Sequence, residues 1–215
     1  MNRNAHMDQV YQLVMRMGTY VEDALHKTLH ALMNRNLTLA HTIIAQDYLI
    51  DQCRHDIEDA CTKIIATRQP MAFHLRELIS LIKASTDLER IGDHAQHMAE
   101  ILVQVQESTI EQVLPELREM TEFCIKMLHR VLIDLVNQDE VSAESLAAED
   151  RYLDTMNKNL QDQLIHLIQS SPEILEDGMQ LIMYSRFLER LGDHITNICE
   201  WIIYAKKGTH VSLTA

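Results

Sequence analysis

The feature that most limits what this chain can fold into is a repeat. Leu88-Glu89-Arg90-Ile91-Gly92-Asp93-His94 returns one hundred residues later as Leu188-Glu189-Arg190-Leu191-Gly192-Asp193-His194, with only Ile91 replaced, by Leu191. The likeness continues in register from Glu100-Ile101 to Glu200-Trp201. A chain of 215 residues carrying such a repeat reads as a duplication, with a first unit over 1–107 and a second over 108–215.

The repeated unit is helical. Only five glycines and three prolines punctuate the sequence, far fewer than strands and turns need, and Leu, Ile, Met, Ala, Glu, Asp and Gln dominate. Val10, Leu13, Val14, Met17, Val21, Leu25, Leu29 and Leu32 recur at helical spacing and predict a first helix over about 4–34. Asn34-Arg35-Asn36 breaks it. A second stripe from Leu39 to Ile65 runs until Gln69-Pro70, where proline disfavours helical geometry in the residue before it. A third helix is expected over about 71–106. The second unit repeats the plan with helices over about 110–136, from the Asn137-Gln138-Asp139 break to 170, and over about 172–206. Helices of roughly thirty residues are about 45 Å long, and short breaks make successive ones antiparallel neighbours. The expected fold is all-α: two repeated antiparallel three-helix bundles, six long helices in all.

Charge removes several classes of function. A formal net charge of −13 is opposite to what a nucleic-acid binder needs, because affinity for a phosphate backbone rests on clustered Lys and Arg. It also disfavours adhesion to anionic lipid. The first seven residues hold no signal-peptide core and no stretch is apolar enough to span a bilayer, so the expectation is a cytoplasmic protein without membrane insertion. Cys53, Cys61, Cys124 and Cys199 form no CxxC pair and read as buried helix thiols.

Two features of the repeat ask for a chemical reason. Gly92 and Gly192 lie inside predicted helices, where glycine costs about 1 kcal/mol relative to alanine; the reading from sequence is close approach of another backbone. Beside each glycine, Glu89 and Asp93, and Glu189 and Asp193, stand four apart on one helix face, although like charges at that spacing destabilise a helix by a few tenths of a kcal/mol. The preceding helix of each unit carries its own pair, Asp47 with Asp51 and Asp150 with Asp154. Folding each hairpin about its turn, near 69–70 and 171–172, brings Asp51 level with about 88 and Asp47 with about 92, and brings Asp154 level with Glu189 and Asp150 with about Asp193. Four carboxylates on one patch require a counter-charge. Oxygen-rich clusters suit Mg²⁺, Mn²⁺, Ca²⁺ or iron, while Arg90 and Arg190 could neutralise their neighbours without any metal.

Further along the same faces stand His55, Glu58, His97 and Glu100 in the first unit, and Lys158, Gln161, Asn197 and Glu200 in the second. The extra imidazoles and carboxylate predict tighter or larger metal occupancy in the first unit. His94 and His194 lie one position off the carboxylate stripe and read as flanking or packing residues; His26 and His30 read as a surface face.

The chain resembles the PhoU family of bacterial phosphate regulators over nearly its whole length. The resemblance rests on the paired LERIGDH and LERLGDH segments, on Ile65-Ala66-Thr67-Arg68-Gln69-Pro70, on Asp47-xxx-Asp51 and on Asn197-Ile198-Cys199-Glu200. It implies two three-helix bundles and metal-binding E/D-xxx-D motifs, here Asp47 with Asp51, Glu89 with Asp93, Asp150 with Asp154, and Glu189 with Asp193; Glu100 and Glu200, further down the same faces, are candidates from their placement alone. It leaves Mg, Mn, Fe, Zn and Ca open as the metal. It further implies a non-catalytic protein that restrains the ATPase of a phosphate ABC transporter and keeps a phosphate-sensing histidine kinase silent when phosphate is plentiful, with a homodimer as a possible assembly.

Two alternatives compete with this reading. One is a di-metal carboxylate enzyme in a helical bundle; such sites draw on E-xx-H motifs, none of which occurs here. Nor does the sequence carry a nucleophile elbow or a glycine-rich phosphate loop. The other is a related paralogue with a different partner, for which Lys158 on the second patch is the main departure.

Overall fold

A computed structural model describes residues 5–213. Nine α-helices are present among them: α1 (Ala5–Asn34), α2 (Leu37–Gln46), α3 (Tyr48–Arg68), α4 (Ala72–Gln104), α5 (Glu107–Glu111), α6 (Leu114–Asn137), α7 (Glu140–Ala147), α8 (Asp150–Ser170) and α9 (Leu175–Lys207), with a 3₁₀ turn at Pro172–Ile174 before α9. The fold is all-α. The expected start of the first helix at Asn4 lies outside the described residues.

The breaks between helices form as their residues dictate. Arg35 and Gln138 adopt left-handed backbone, with φ of 49° and 52°, directly after the last helical residue. Asn36 N then bonds back to Ala31 O, and Asp139 N to Asp134 O, closing both helix ends in the same way. The next residue caps the next helix: Asn36 Oδ1 accepts from Leu39 N at 3.1 Å, and Asp139 Oδ1 from Ser142 N at 3.0 Å.

The expected continuous second and fifth helices are each two. At Asp47 the hydrogen bond tightens, with Ile50 N reaching Asp47 O at 2.9 Å; in the second unit Glu149 N reaches Leu146 O at 3.0 Å and Tyr152 N reaches Glu149 O at 2.9 Å. These i-to-i+3 bonds change the helix axis locally, and apolar periodicity is blind to them because the side-chain stripe continues through. The fourth expected helix likewise begins later, at Leu114, with α5 as a separate turn before it.

Arg35 does more than end α1. Its guanidinium donates to the carbonyls of Leu102 and Val105, groups at the C-terminus of α4 that no later helical N–H satisfies. Arg35→Ala is expected to cost about 2 kcal/mol, the scale of hydrogen bonds from a charged donor. Arg35→Gly should recover about 1 kcal/mol of that, because glycine accepts the left-handed backbone without penalty. Urea unfolding of the two variants measures the difference; equal stability would mean that the backbone conformation carries no cost there.

The two units lie side by side, which the sequence left open. Their most extensive contact is α4 against α9, and the two helices run in opposite directions. Arg76 lies against Gly208, Lys83 over Trp201, Asp87 beside His194, and His94 beside Phe187. The glycine of each repeat therefore sits near the crossing, and one apolar core runs through both units. Cys53, Cys61, Cys124 and Cys199 are buried free thiols within it.

Candidate metal centre

Each repeat glycine faces the kink of the preceding helix. A Cβ on Gly92 would stand 2.7 Å from Ile50 Cδ1 and 3.7 Å from Asp47 Oδ1, and one on Gly192 would overlap Asp150 Oδ1 and stand 2.7 Å from Leu153 Cδ2. The expectation of a neighbouring backbone is corrected: side chains occupy the space, and one of them in each unit is the kink carboxylate. The hairpin levels read from the sequence, 47 with 92 and 150 with about 193, are those of the structure.

The electrostatics follow from that placement. Burial, then the charges of Asp93, Asp51 and Glu89, push the Asp47 carboxyl up to about 6. Burial, then Asp154, Asp193 and Glu189, push Asp150 up to about 7. Glu89 is raised by burial and then by Asp93; Glu189 is raised by burial, then by Asp193 and Asp154; Asp193 is raised by burial and then by Asp154. Each set of four thus forms one group whose carboxylates repel one another.

The two groups are neutralised differently. In the first, Arg90 pairs with Asp93 at 2.9 Å and Glu89 at 3.4 Å, and Arg54 reaches Glu89 at 3.6 Å. In the second, no Lys, Arg or His nitrogen comes within 4 Å of Asp150, Asp154, Glu189 or Asp193 among the described residues, and Asp150 Oδ1 is buried without a hydrogen-bond partner. Asn157 stands where Arg54 does on the repeated face. Arg54 was missed by sequence reasoning, although its place three residues after Asp51 puts it on the carboxylate face of α3.

The other candidates lie apart. Glu100 accepts from Gln96 at 3.1 Å, two helical turns beyond Asp93, which is about 10 Å along the axis. Glu200 accepts the Leu213 backbone N–H at 2.7 Å, where the C-terminal residues fold back over α9. His55 and Glu58 are engaged around Arg54, which donates to Glu58 at 2.7 Å. Lys158, His26 and His30 are exposed.

The histidines of the repeat serve the seam between units. His194 Nδ1 lies 3.0 Å from Asp87 Oδ1, and Asn197 and Trp201 donate to the same carboxylate at 3.1 Å each. Across the pseudo-symmetric seam, Phe187 takes the place of Asp87 and stacks on His94 and His97, with ring centroids 5.2 Å apart in both pairs. One geometry is thus filled by a polar network on one side and by aromatic packing on the other. The mismatch of Asp87 with Phe187 directly before an otherwise repeated segment was the available sequence signal. Burial, then His194, lowers His94 to about 4.

As a ligand set the patches are all oxygen, which fits a hard divalent cation or iron, and the unpartnered buried Asp150 Oδ1 fits a group waiting for a positive partner. In their present rotamers no three His, Cys, Asp or Glu side chains converge tightly enough to hold an ion among the described residues, so binding requires the carboxylates to swing inward. Asp150 and Asp154, with Glu189 and Asp193 opposite, are the residues of the second unit that would hold it; Asp47, Asp51, Glu89 and Asp93 are those of the first.

Fold and site together define a duplicated helical protein whose two units each present a carboxylate quartet at a helix kink, half-buried in the first unit and ranging from buried Asp150 to exposed Asp154 in the second. A PhoU domain model matches residues 14–102 and again 117–202. The chain belongs to the PhoU family. It is 33% identical over 215 residues to the phosphate-specific transport system accessory protein PhoU homolog of Pseudomonas aeruginosa, covering 98% of this chain and 89% of that one. It is 31% identical over 205 residues to the corresponding protein of Escherichia coli K12, covering 95% and 85%. The crystal structure of PhoU from Pseudomonas aeruginosa superposes with a TM-score of 0.88 at 31% identity, over 96% of this chain and 99% of that chain. The PhoU structure from Streptococcus pneumoniae does so with a TM-score of 0.89 at 29% identity, over 95% and 97%.

Proposed function

We propose that this chain is a non-enzymatic, metal-binding regulator of phosphate homeostasis, an accessory to a phosphate-specific transport system. It restrains the transporter through its cytoplasmic ATPase and keeps the phosphate-sensing histidine kinase silent when phosphate is abundant. The observation that carries the metal part of the reading is the quartet of carboxylates gathered at each kink against a repeat glycine. The relatives' names carry the phosphate part. No helix among the described residues is long and apolar enough to cross a membrane, which is compatible with an adaptor that meets the transporter at its soluble subunit.

The second quartet is the stronger metal site in this reading, the reverse of the expectation from His55, His97 and Glu58 of the first. Arg54 and Arg90 already neutralise the first quartet in part, and an incoming cation has to compete with them. Bound metal removes the repulsion within a quartet and stiffens the kink, so that each unit offers its partners a fixed helical face.

Expression of this chain in a bacterium lacking its own PhoU-family protein tests the regulatory reading. A phosphate-starvation reporter should fall in phosphate-rich medium, and fall less with a variant in which Asp150, Asp154, Glu189 and Asp193 are all Ala. A reporter unaffected by the wild-type chain, with the chain folded and present, contradicts the role.

A further inference from the structure

The turn motif Ile65-Ala66-Thr67-Arg68-Gln69-Pro70 plays no part in the metal reading, yet it forms one wall of a cavity. Between the start of α1 and the end of α3, a hollow of about 220 Å³ has a polar wall of His6, Gln9, Lys63, Thr67 and Arg68. Ala60 and Ile64 lie beneath. In a protein of net charge −13, no carboxylate lines it among the described residues.

We propose that this cavity binds a phosphate-type dianion, either inorganic phosphate or the phosphate group of a small phosphomonoester. Arg68 Nη2 lies 3.0 Å from His6 Nε2. A guanidinium can only donate, so His6 accepts and carries its proton on Nδ1. That contact fixes one edge of the guanidinium and leaves its other N–H groups for a planar, bidentate grip on two phosphate oxygens. Lys63 supplies a second, mobile cation across the hollow. Neither Lys63 nor Arg68 has a carboxylate within 4 Å among the described residues: Asp56, on the same helix, pairs instead with Arg16 at 2.7 Å. Thr67 Oγ1 donates to Lys63 O at 2.7 Å, so it closes the wall rather than contacting the anion. The Gln9 amide is the remaining neutral donor.

The repeat supplies an independent argument. The corresponding turn of the second unit, Gln161 to Pro172, contains no Lys or Arg at all. The hairpin closes there without cations, so the fold does not demand Lys63 and Arg68 in the first unit. The volume leaves room for several waters at about 30 Å³ each, or for a tetrahedral oxyanion with part of its hydration. The inference is independent of metal at the carboxylate quartets.

The test is calorimetric titration of inorganic phosphate, and separately of glycerol phosphate, into chelator-stripped full-length protein. Stripping excludes phosphate held through a bound metal ion. The wild type should show saturable binding. A Lys63→Ala/Arg68→Ala variant, both positions being exposed and its fold checked by circular dichroism, should bind at least tenfold more weakly, while Lys126→Ala, a basic change on α6, should bind as the wild type does. Tighter binding of inorganic phosphate identifies the free anion as the ligand, and tighter binding of the monoester identifies a phosphorylated small molecule. Absence of saturable binding of either up to about 10 mM, or equal binding by the double variant, overturns the proposal.

Discussion

Asp150→Asn is expected to stabilise the metal-free protein by about 3–4 kcal/mol at pH 8 but by only about 1–2 kcal/mol at pH 5. Asp150 is 9% exposed, and burial with three neighbouring carboxylates raises it to about 7 from an ordinary 3.8. A carboxyl raised in the folded state contributes stability that is complete below its unfolded pKa and is lost as pH rises through the folded one. For Asp150 the loss runs from about pH 4 to about pH 7. His94 has the opposite sign: its folded pKa of about 4 lies below the ordinary 6.5, so its contribution is present above 6.5 and fades as pH falls toward 4. Between pH 5 and 8 the His94 trend opposes that of Asp150 and that of Asp47, which is raised to about 6, so the wild type should lose stability as pH rises through that range. The variant keeps the opposed His94 and Asp47 trends and should have the shallower profile, its advantage over the wild type shrinking as pH falls from 8 to 5. Parallel profiles for wild type and variant in urea unfolding would contradict the account of Asp150.

Gly192→Ala is expected to destabilise the protein by about 1–2 kcal/mol, whereas Gly92→Ala should be close to neutral. Alanine brings about 1 kcal/mol of helix propensity at both positions. At Gly92 the nearest atom is the tip of Ile50, which can turn aside. At Gly192 the new methyl overlaps the carboxylate of Asp150 and crowds Leu153, and overpacking of that kind costs about 1–3 kcal/mol. Combining Gly192→Ala with Asp150→Ala removes the obstructing group, so the two changes should couple by about 1 kcal/mol or more in a double-mutant cycle. Additive effects would show that the glycine is not there to accommodate the carboxylate.

Much of this arrangement could be read from residues alone, because helix hairpins convert sequence distance into height. Pro70 and Pro172 mark the turns, and reflection about 69–70 and 171–172 places Asp47 level with about residue 92 and Asp150 level with Asp193, within a residue of the glycines they meet. The caps at Asn36 and Asp139 were equally visible as polar breaks. The kinks were not, since tightening from i+4 to i+3 bonds at Asp47 and Glu149 leaves the apolar stripe intact. The seam was also hidden: Asp87 and Phe187 differ in chemistry while filling one geometry, and only the antiparallel crossing of α4 and α9 shows that each meets a histidine of the other unit. Glu200 looked equivalent to Glu100 until the returning C-terminal residues placed Leu213 N on it. Arg54, 3.6 Å from Glu89, is the contact on which the proposed ranking of the two quartets rests, and the acidic pattern drew attention away from it.

Metal content tests the central claim most directly. Natively purified protein, and protein stripped and then reloaded with manganese or iron, would be analysed by inductively coupled plasma mass spectrometry beside two variants. One has Asp47, Asp51, Glu89 and Asp93 all changed to Ala, and the other has Asp150, Asp154, Glu189 and Asp193 so changed. The account requires stoichiometric metal in the wild type, most of it retained when the first quartet is removed and most of it lost when the second is. Wild-type protein that stays empty after reloading, or metal that survives loss of both quartets, would contradict it.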